Sequence, residues 1–362
     1  MTKVLACRTP LLGFHYYGCS NCDHMKKVPH SCKSRFCTSC GKAATDQWIS
    51  KTLKILPDVR YQHITFTLPS VFWLLFQVNR KLIGEIPKIA AQIILDVCKN
   101  GNGRKHYLPG IFLAIHSYGR RLNFNIHIHL CVTVGGFNKS HNYIEGTTIN
   151  HQTLKNMWKY RITNLLRKYF KNNSLLPYPA IRNYFKSYTT FNQWLDSQYQ
   201  KTWNVYLQKV NKGAEKTTEY LGKYLKKPPL AEARIDAYDG NKVTFTYHDH
   251  NTKTNLQKAL PVEEFIKTLI IHIPDKYFRM VRYFGFLANR VRTKFLKKFS
   301  QNIEFKNYKA PTYAERFIKA FNKHPLKCSC GKELHLLNLT FAIPIPVLVH
   351  RHNAKAASLS GP

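Results

Sequence analysis

The stretch Phe124-Asn125-Ile126-His127-Ile128-His129-Leu130-Cys131-Val132-Thr133-Val134 alternates between apolar and polar side chains without a break. Successive side chains of an extended strand point to opposite faces, so a period of two fixes a strand here and excludes a helix. Phe124, Ile126, Ile128, Leu130, Val132 and Val134 share the face that must be buried. Asn125, His127, His129, Cys131 and Thr133 share the other. His127 and His129 therefore stand side by side, about 7 Å apart along the strand. Two neutral imidazoles on a rigid element are the start of a divalent-metal site. A half-buried strand with two solvated histidines would look the same, and this segment alone does not separate the two.

The flanking sequence supplies partners for that strand. Residues 61–68 read as another strand, with Ile64, Phe66 and Leu68 inward and Pro69 as its stop. Residues 111–117 read as a strand joined through the turn 118–123 to the histidine strand, an antiparallel hairpin. Helical patterns cover 71–99 (divided near Gly84 and Pro87), 154–170, 191–210, 214–227 and 262–271, with 171–190 irregular. Pro228-Pro229 stops the fourth of these, and Asp239-Gly240 marks a hairpin between 234–238 and 242–247. Hairpins and helices mix without repeated βαβ units, so the expected class is α+β. Three regions are expected: a cysteine-rich module over 1–55, the histidine and tyrosine segments over 56–230, and a basic region for DNA binding and packing over 231–362.

No apolar run reaches eighteen residues, so no membrane span or membrane partner is expected. The start of the chain lacks the apolar stretch of a secretory signal, which points to the cytoplasm. There are 56 Lys and Arg against 19 Asp and Glu, a formal net charge of +37. That excess is far beyond what solubility needs and runs along the whole chain, so the folded body is expected to bind a polyanion, nucleic acid above all. With 21 Tyr and 22 Phe among the charges, stacking on the exposed bases of a single strand is natural.

Of ten cysteines, six fall in the first forty residues: Cys7, Cys19, Cys22, Cys32, Cys37 and Cys40. Cys19-x-x-Cys22 and Cys37-x-x-Cys40, with fourteen residues between them, are expected to complete one structural zinc site. Cys7, Cys32 and His24 either complete a second site or pack as ordinary side chains, with packing favoured for the thiols. A disulfide framework would suit a short secreted chain, which this is not. Lys33 and Arg35 lie between the pairs and are candidates for phosphate contact, as are Arg120 and Arg121 in the turn before the histidine strand. Cys328-Ser329-Cys330, flanked by His324 and His335, is a weaker metal clip.

Tyr220 and Tyr224 sit at i and i+4 on one face of the helix expected over 214–227, among Lys216 and the candidates for DNA contact Lys223, Lys226 and Lys227. Such a pair is often plain core packing. A phenol is a poor nucleophile at neutral pH, but nearby cations or a metal polarising the target phosphate would make it competent. A histidine pair for a metal, a tyrosine pair and a large positive surface together fit phosphodiester transesterification. One tyrosine would attack, leaving a 5′-phosphotyrosine and a free 3′-hydroxyl, and the conserved bond energy would let the strand be rejoined without ATP.

His127-Ile128-His129 resembles the His-hydrophobic-His signature of the HUH endonuclease superfamily. The chain is similar to the two-tyrosine transposases of rolling-circle bacterial insertion sequences, relatives of Helitron and plasmid-replication initiator enzymes. The likeness spans about residues 7 to 335. It rests on Cys7-Arg8-Thr9, on 31–40 (SCKSRFCTSC), on Phe66-Thr67-Leu68-Pro69 and on 220–229 (YLGKYLKKPP), then on Phe265, His272 and Val281-Arg282-Tyr283-Phe284-Gly285. It implies an antiparallel-sheet HUH nuclease core with flanking helices and a small N-terminal zinc module. It further implies Mg²⁺ or Mn²⁺ at His127 and His129, Tyr220 and Tyr224 as nucleophiles, and single-stranded transposon ends and target DNA as partners in a bacterial, nucleoid-associated protein. A homodimer is left open. The chain departs from the family at Asn125-Ile126, where a Pro or a further polar residue is common, and at Cys328-x-Cys330, one residue short of the usual C-x-x-C.

Two histidines rarely hold Mg²⁺ without a third ligand. His63, His116 and Glu219 are the candidates. Two other readings remain: a zinc-module nucleic-acid-binding protein without catalysis, and a replication initiator with the same nicking chemistry.

Overall fold

The computed structural model describes residues 2–34, 37–99, 106–146, 149–175, 178–208, 213–225, 229–249, 252–275, 277–299 and 311–340. Its strands are β1 (Phe14–Cys19), β2 (Met25–Pro29), β3 (Tyr61–Thr67), β4 (Leu108–Tyr118), β5 (Phe124–Phe137), β6 (Tyr143–Glu145), β7 (Val205–Leu207), β8 (Ile235–Tyr238), β9 (Lys242–His248), β10 (Asn255–Pro261), β11 (Val281–Gly285) and β12 (Leu334–Leu339). The class is α+β, with antiparallel sheets throughout.

The chain divides into two compact units, Met1–Lys51 with Lys226–Glu232 and Tyr308–Pro362, and Thr52–Leu225 with Ala233–Asn307. The smaller unit is interleaved along the chain, and β12 falls within it because it pairs with β1.

In the larger unit the main sheet runs β11-β4-β5-β3-β7, with β6 on the far end of β5. The histidine strand is thus the middle of the path. Its apolar residues Ile126, Ile128, Leu130 and Val132 join Ile64 and Phe66 of β3 and Ile111, Leu113 and Ile115 of β4 in one buried layer. Helices Lys81–Lys99, His151–Lys171 and Tyr188–Gln200 close that layer with Leu82, Ile86, Ala90, Ile94, Leu154, Trp158, Ile162, Phe191 and Leu195. Burying a large apolar side chain contributes about 2 kcal/mol, so this layer is the main source of the unit's stability. Trp158 also donates its indole N–H to Thr67 O at 2.8 Å, which satisfies the one polar atom the ring carries inward.

Several elements differ from the sequence expectation. The 71–99 region breaks at Asn79-Arg80, and Lys81–Lys99 runs on through Pro87. Arg282 donates to Gly84 O at 2.8 Å, giving a main-chain acceptor in the turn before the proline a side-chain partner. The region 191–210 divides into a helix capped by Ser187 and the short strand β7. Strand β5 runs beyond the alternating stretch 124–134, through Gly135-Gly136 to Phe137. A Cβ on Gly136 would lie 2.1 Å from Leu108 O, so only glycine lets β4 and β5 stay paired there. Strand β11, inside a very basic stretch, was not legible as a strand. The 234–247 hairpin is present as β8 and β9, and β10 extends it to a second, three-stranded sheet.

The smaller unit is built on the sheet β12-β1-β2. Among the described residues its buried cluster holds Ala6, Leu12, Cys32, Cys37 and Cys40.

Candidate functional site

Register decides which side chains join the histidine pair. Strand β4 runs antiparallel to β5 with His116 opposite His127 and Ala114 opposite His129. Directly opposed residues project to the same face. The His116 ring lies 5.1 Å from His127 and 4.7 Å from His129, and the two strand neighbours are 5.0 Å apart. One ring nitrogen from each of the three lies within 4.8 Å of the other two.

On the other side of β5, Thr65 of β3 opposes His129. His63, two residues earlier on the same face, stacks against His129 with Nε2 3.1 Å from His129 Nδ1, and Thr65 Oγ1 lies 3.3 Å from that same Nδ1. Of the three third-ligand candidates, the structure therefore brings His116 into the cluster and sets His63 behind His129. The side chain of Glu219 lies outside the described residues. Thr65 and the Asn125 carbonyl were not singled out from sequence. Thr65 shares the period-two face of His63, but only the β3–β5 register shows that this face meets His129.

The hydrogen bonds fix tautomers. His127 Nδ1 lies 2.9 Å from Asn125 O, and a carbonyl can only accept, so Nδ1 carries the proton and the Nε2 lone pair is left for a ligand. A His129 that donates from Nδ1 to His63 likewise carries its lone pair on Nε2. The histidine face is largely withdrawn from solvent: His63, His116 and His129 are buried, and His127 is half-buried. Burial, then the charges that His127 and His63 would carry, hold His129 well below the ordinary imidazole value. Burial lowers His127 against the opposing bond to Asn125. Burial brings His63 to about 4 against a hydrogen bond with Gln208. At neutral pH these three imidazoles are uncharged, the form that binds a metal.

Three convergent imidazoles fit a divalent ion of borderline character. Among the described residues no carboxylate joins the cluster. Nitrogen donors rank Mn²⁺ above Mg²⁺, which prefers oxygen.

The helix Ala214–Leu225 contains Tyr220 and Tyr224 and packs against β3 and β4, the strands on either side of the histidine strand. Its start is tied down by Asp58, whose Oδ1 accepts the Ala214 N–H at 3.0 Å. The side chains of Tyr220, Lys223 and Tyr224 lie outside the described residues, as do Arg35, Lys226 and Lys227 altogether. Of the remaining candidates for DNA contact, Lys33 and Arg120 are exposed. Arg121 pairs with the buried Asp249 and lies over the Tyr247 ring, so its charge is already compensated within the protein.

The cysteines group differently from the expectation. Cys37 and Cys40 do not share a cluster with Cys19 and Cys22. They meet Cys7 and Cys32, with Sγ–Sγ distances of 3.5 Å for Cys7–Cys40, 3.6 Å for Cys7–Cys37 and 3.7 Å for Cys32–Cys40. Four sulfurs at about 2.3 Å from a tetrahedral ion are about 3.8 Å from one another, so these distances fit zinc. Main-chain N–H groups point at the same sulfurs, Cys32 to Cys7 at 3.3 Å and Ser34 to Cys32 at 3.4 Å. Cys7 and Cys32 are thus members of a cluster rather than plain packing. Cys19 and Cys22 instead meet Cys328 and Cys330. His24 is exposed, and neither it nor His324 or His335 belongs to a cluster. Cys98 and Cys131 are buried singly.

Comparison with known proteins adds a second line of observation. Residues 110–295, which include the histidine strand and the tyrosine helix, match the family model described as "Putative transposase". Residues 1–68 match the one described as "Transposase zinc-binding domain". The transposase for insertion sequence element IS801 of Pseudomonas savastanoi pv. phaseolicola is 37% identical over 92% of this chain and 82% of its own length. A protein titled "Putative transposase y4qJ" of Sinorhizobium fredii is 26% identical over 81% of this chain and 74% of its own. No solved structure matches the chain.

Proposed function

This chain belongs to the transposase family whose model spans residues 110–295, and on that premise we propose that it nicks and rejoins single-stranded DNA at transposon ends through a tyrosine-linked intermediate. The observation that carries the reading is the β4–β5 register, which sets His116 opposite His127 and beside His129 at the centre of the sheet. The packing of the tyrosine helix against β3 and β4 supports it further.

His116, His127 and His129 would hold the divalent ion, Mn²⁺ or Mg²⁺. Bound there, it supplies Lewis acidity toward the scissile phosphate. One of Tyr220 and Tyr224 gives up its phenolic proton and forms a new O–P bond. The 3′ oxygen leaves with a proton, so a free 3′-hydroxyl and a 5′-phosphotyrosine result. Attack by the 3′-hydroxyl of another strand reverses the step and restores the phenol, so no external energy source is required. Two tyrosines one helical turn apart allow two strands to be held in turn. His63 and Asn125 O orient the imidazoles. Lys33 and Arg120, with the other exposed cations of a +37 chain, hold phosphates along the strand. Cys7, Cys32, Cys37 and Cys40 hold zinc in the zinc-binding domain. A replication initiator would use the same chemistry; 37% identity to a transposase over most of the chain favours transposon ends as the substrate.

The test is covalent capture. Wild-type protein incubated with Mn²⁺ and a labelled single strand carrying the element's end should give a protein–DNA adduct. Tyr220→Phe with Tyr224→Phe should reduce it at least ~1,000-fold. An undiminished adduct in the double variant would remove both tyrosines from the mechanism.

A further inference from the structure

Four thiols lie together where the two ends of the chain meet. Cys19 closes β1, Cys22 follows in the turn to β2, and Cys328 and Cys330 lie just ahead of β12. The Sγ–Sγ distances are 3.5 Å for Cys19–Cys330 and 3.6 Å for Cys22–Cys328, and all four sulfurs lie within 4.8 Å of one another. Those separations match the edges of a tetrahedral tetrathiolate, about 3.8 Å. They are far from the ~2.05 Å of a disulfide.

We propose that Cys19, Cys22, Cys328 and Cys330 form a second structural zinc site, distinct from that of Cys7, Cys32, Cys37 and Cys40, which binds the C-terminal strand to the zinc-binding domain. The site does not depend on the strand-transfer chemistry proposed above.

Three observations argue for a metal rather than for packing. Cys22 and Cys330 are exposed, Cys19 is half-buried and Cys328 alone of the four is buried, so packing does not account for the grouping of these thiols. By contrast, Cys98 and Cys131 are buried singly, as packed thiols are. The backbone also forms turns around the sulfurs. The Asn21 N–H donates to Cys19 Sγ at 3.4 Å, and Cys19 N–H donates to His24 O across the first turn. In the second turn Cys328 N–H donates to Lys332 O at 2.8 Å, and Gly331 takes a φ of +86°, a conformation glycine adopts without a steric penalty. Finally, sheet register brings the two turns together: Cys19 pairs with Leu334, and the bridge Lys327–Glu333 closes the second turn beside it.

The consequence is architectural. Cys22 and Cys328 are 306 residues apart, so metal here closes a loop containing nearly the whole chain. The matched zinc-binding stretch, residues 1–68, holds only half of the ligands. The other half comes from a C-x-C pair that the strand pairing of β12 delivers.

The protein, purified without added chelator, should contain at least two zinc ions per chain by elemental analysis. Cys328→Ser with Cys330→Ser should contain one fewer than the wild type. A wild-type content of one, or a double variant with the wild-type content, overturns the proposal. Should the variant fail to fold, thiol labelling of the wild type decides. With zinc bound, Cys19, Cys22, Cys328 and Cys330 should resist alkylation together, and all four should label together after chelation. Rapid labelling of Cys328 and Cys330 while zinc is bound overturns it. So does labelling that needs a reductant rather than a chelator, which would mean disulfides. Cobalt added to the metal-free chain should raise tetrahedral thiolate absorption up to two equivalents, and saturation at one is a negative result.

Discussion

His116, His127 and His129 project from two long paired strands whose opposite faces are part of the large apolar layer of the main unit. Cys7 and Cys32 sit on short connections and Cys37 and Cys40 at the start of the helix Thr38–Leu53, and among the described residues the apolar cluster they join holds only Ala6 and Leu12 besides cysteines as buried members. Both groups gather metal-binding donors, but the fold stands in opposite relation to them. Around the histidines, the core, the register and the bonds to His63 and Asn125 O hold the donors in place without an ion. Around the cysteines, little apolar surface is buried among the described residues, so the ion itself has to supply the cross-link. The first is a site that a fold presents; the second is a site that makes a fold.

This contrast can be broken most directly by removing zinc, where the largest effect is expected. A structural zinc ion contributes roughly 10 kcal/mol or more of apparent folding free energy. Chelation should therefore abolish hydrogen-exchange protection in β1 and β2 while β4 and β5 keep theirs. Equal loss in both units would erase the distinction.

The next effect is on activity. His127→Ala with His129→Ala should lower metal-dependent nicking by about three orders of magnitude or more, since several kcal/mol of charge stabilisation are lost. Melting temperature should fall by only a few degrees and single-strand affinity should stay within a few-fold. A variant that unfolds would place the histidines in the same class as the cysteines.

A smaller effect concerns pH. His63 has a folded value of about 4, and His127 and His129 are also lowered. The unfolded chain, near 6.5, therefore binds protons before the folded one does. The stability of metal-free protein should be fully present above pH 6.5 and be lost as pH falls toward about 4. Differential scanning calorimetry should show a melting temperature several degrees lower at pH 5 than at pH 7, and His63→Gln should narrow that difference. A flat profile would mean that the imidazoles are not buried neutral.

The smallest effect sharpens the role of His63. His63→Gln should weaken Mn²⁺ affinity by about ten-fold, the usual scale for a residue that orients a ligand. Nicking at saturating Mn²⁺ should stay within two-fold of wild type. Complete loss of nicking at saturating metal would make His63 a ligand instead.

How much of this could be read from the chain follows from the range of each signal. The strict alternation over 124–134 carries its own geometry, so the strand, its buried face and the adjacency of His127 and His129 were all legible. Local punctuation was almost as informative: Tyr118–Asn123 gave the β4–β5 turn, Asp239-Gly240 gave the β8–β9 hairpin, and the i,i+4 spacing put Tyr220 and Tyr224 on one helical face. Weak strands failed, because β7, β10 and β11 are extended only where neighbouring strands supply their hydrogen bonds.

The sequence by itself determined the donors: two histidines on one strand face, two tyrosines on one helix face, cysteines in metal spacing, and a charge that calls for nucleic acid. Tertiary structure alone decided which donors meet. His116 joins the pair and His63 stands behind it because of a register between strands, and a one-residue slip would send either to the opposite face. Cys19 and Cys22 leave Cys37 and Cys40 for partners 306 and 311 residues away because β12 pairs with β1. Spacing along the chain constrains only what a short turn can close, and the remaining distances are set by which elements bury one another.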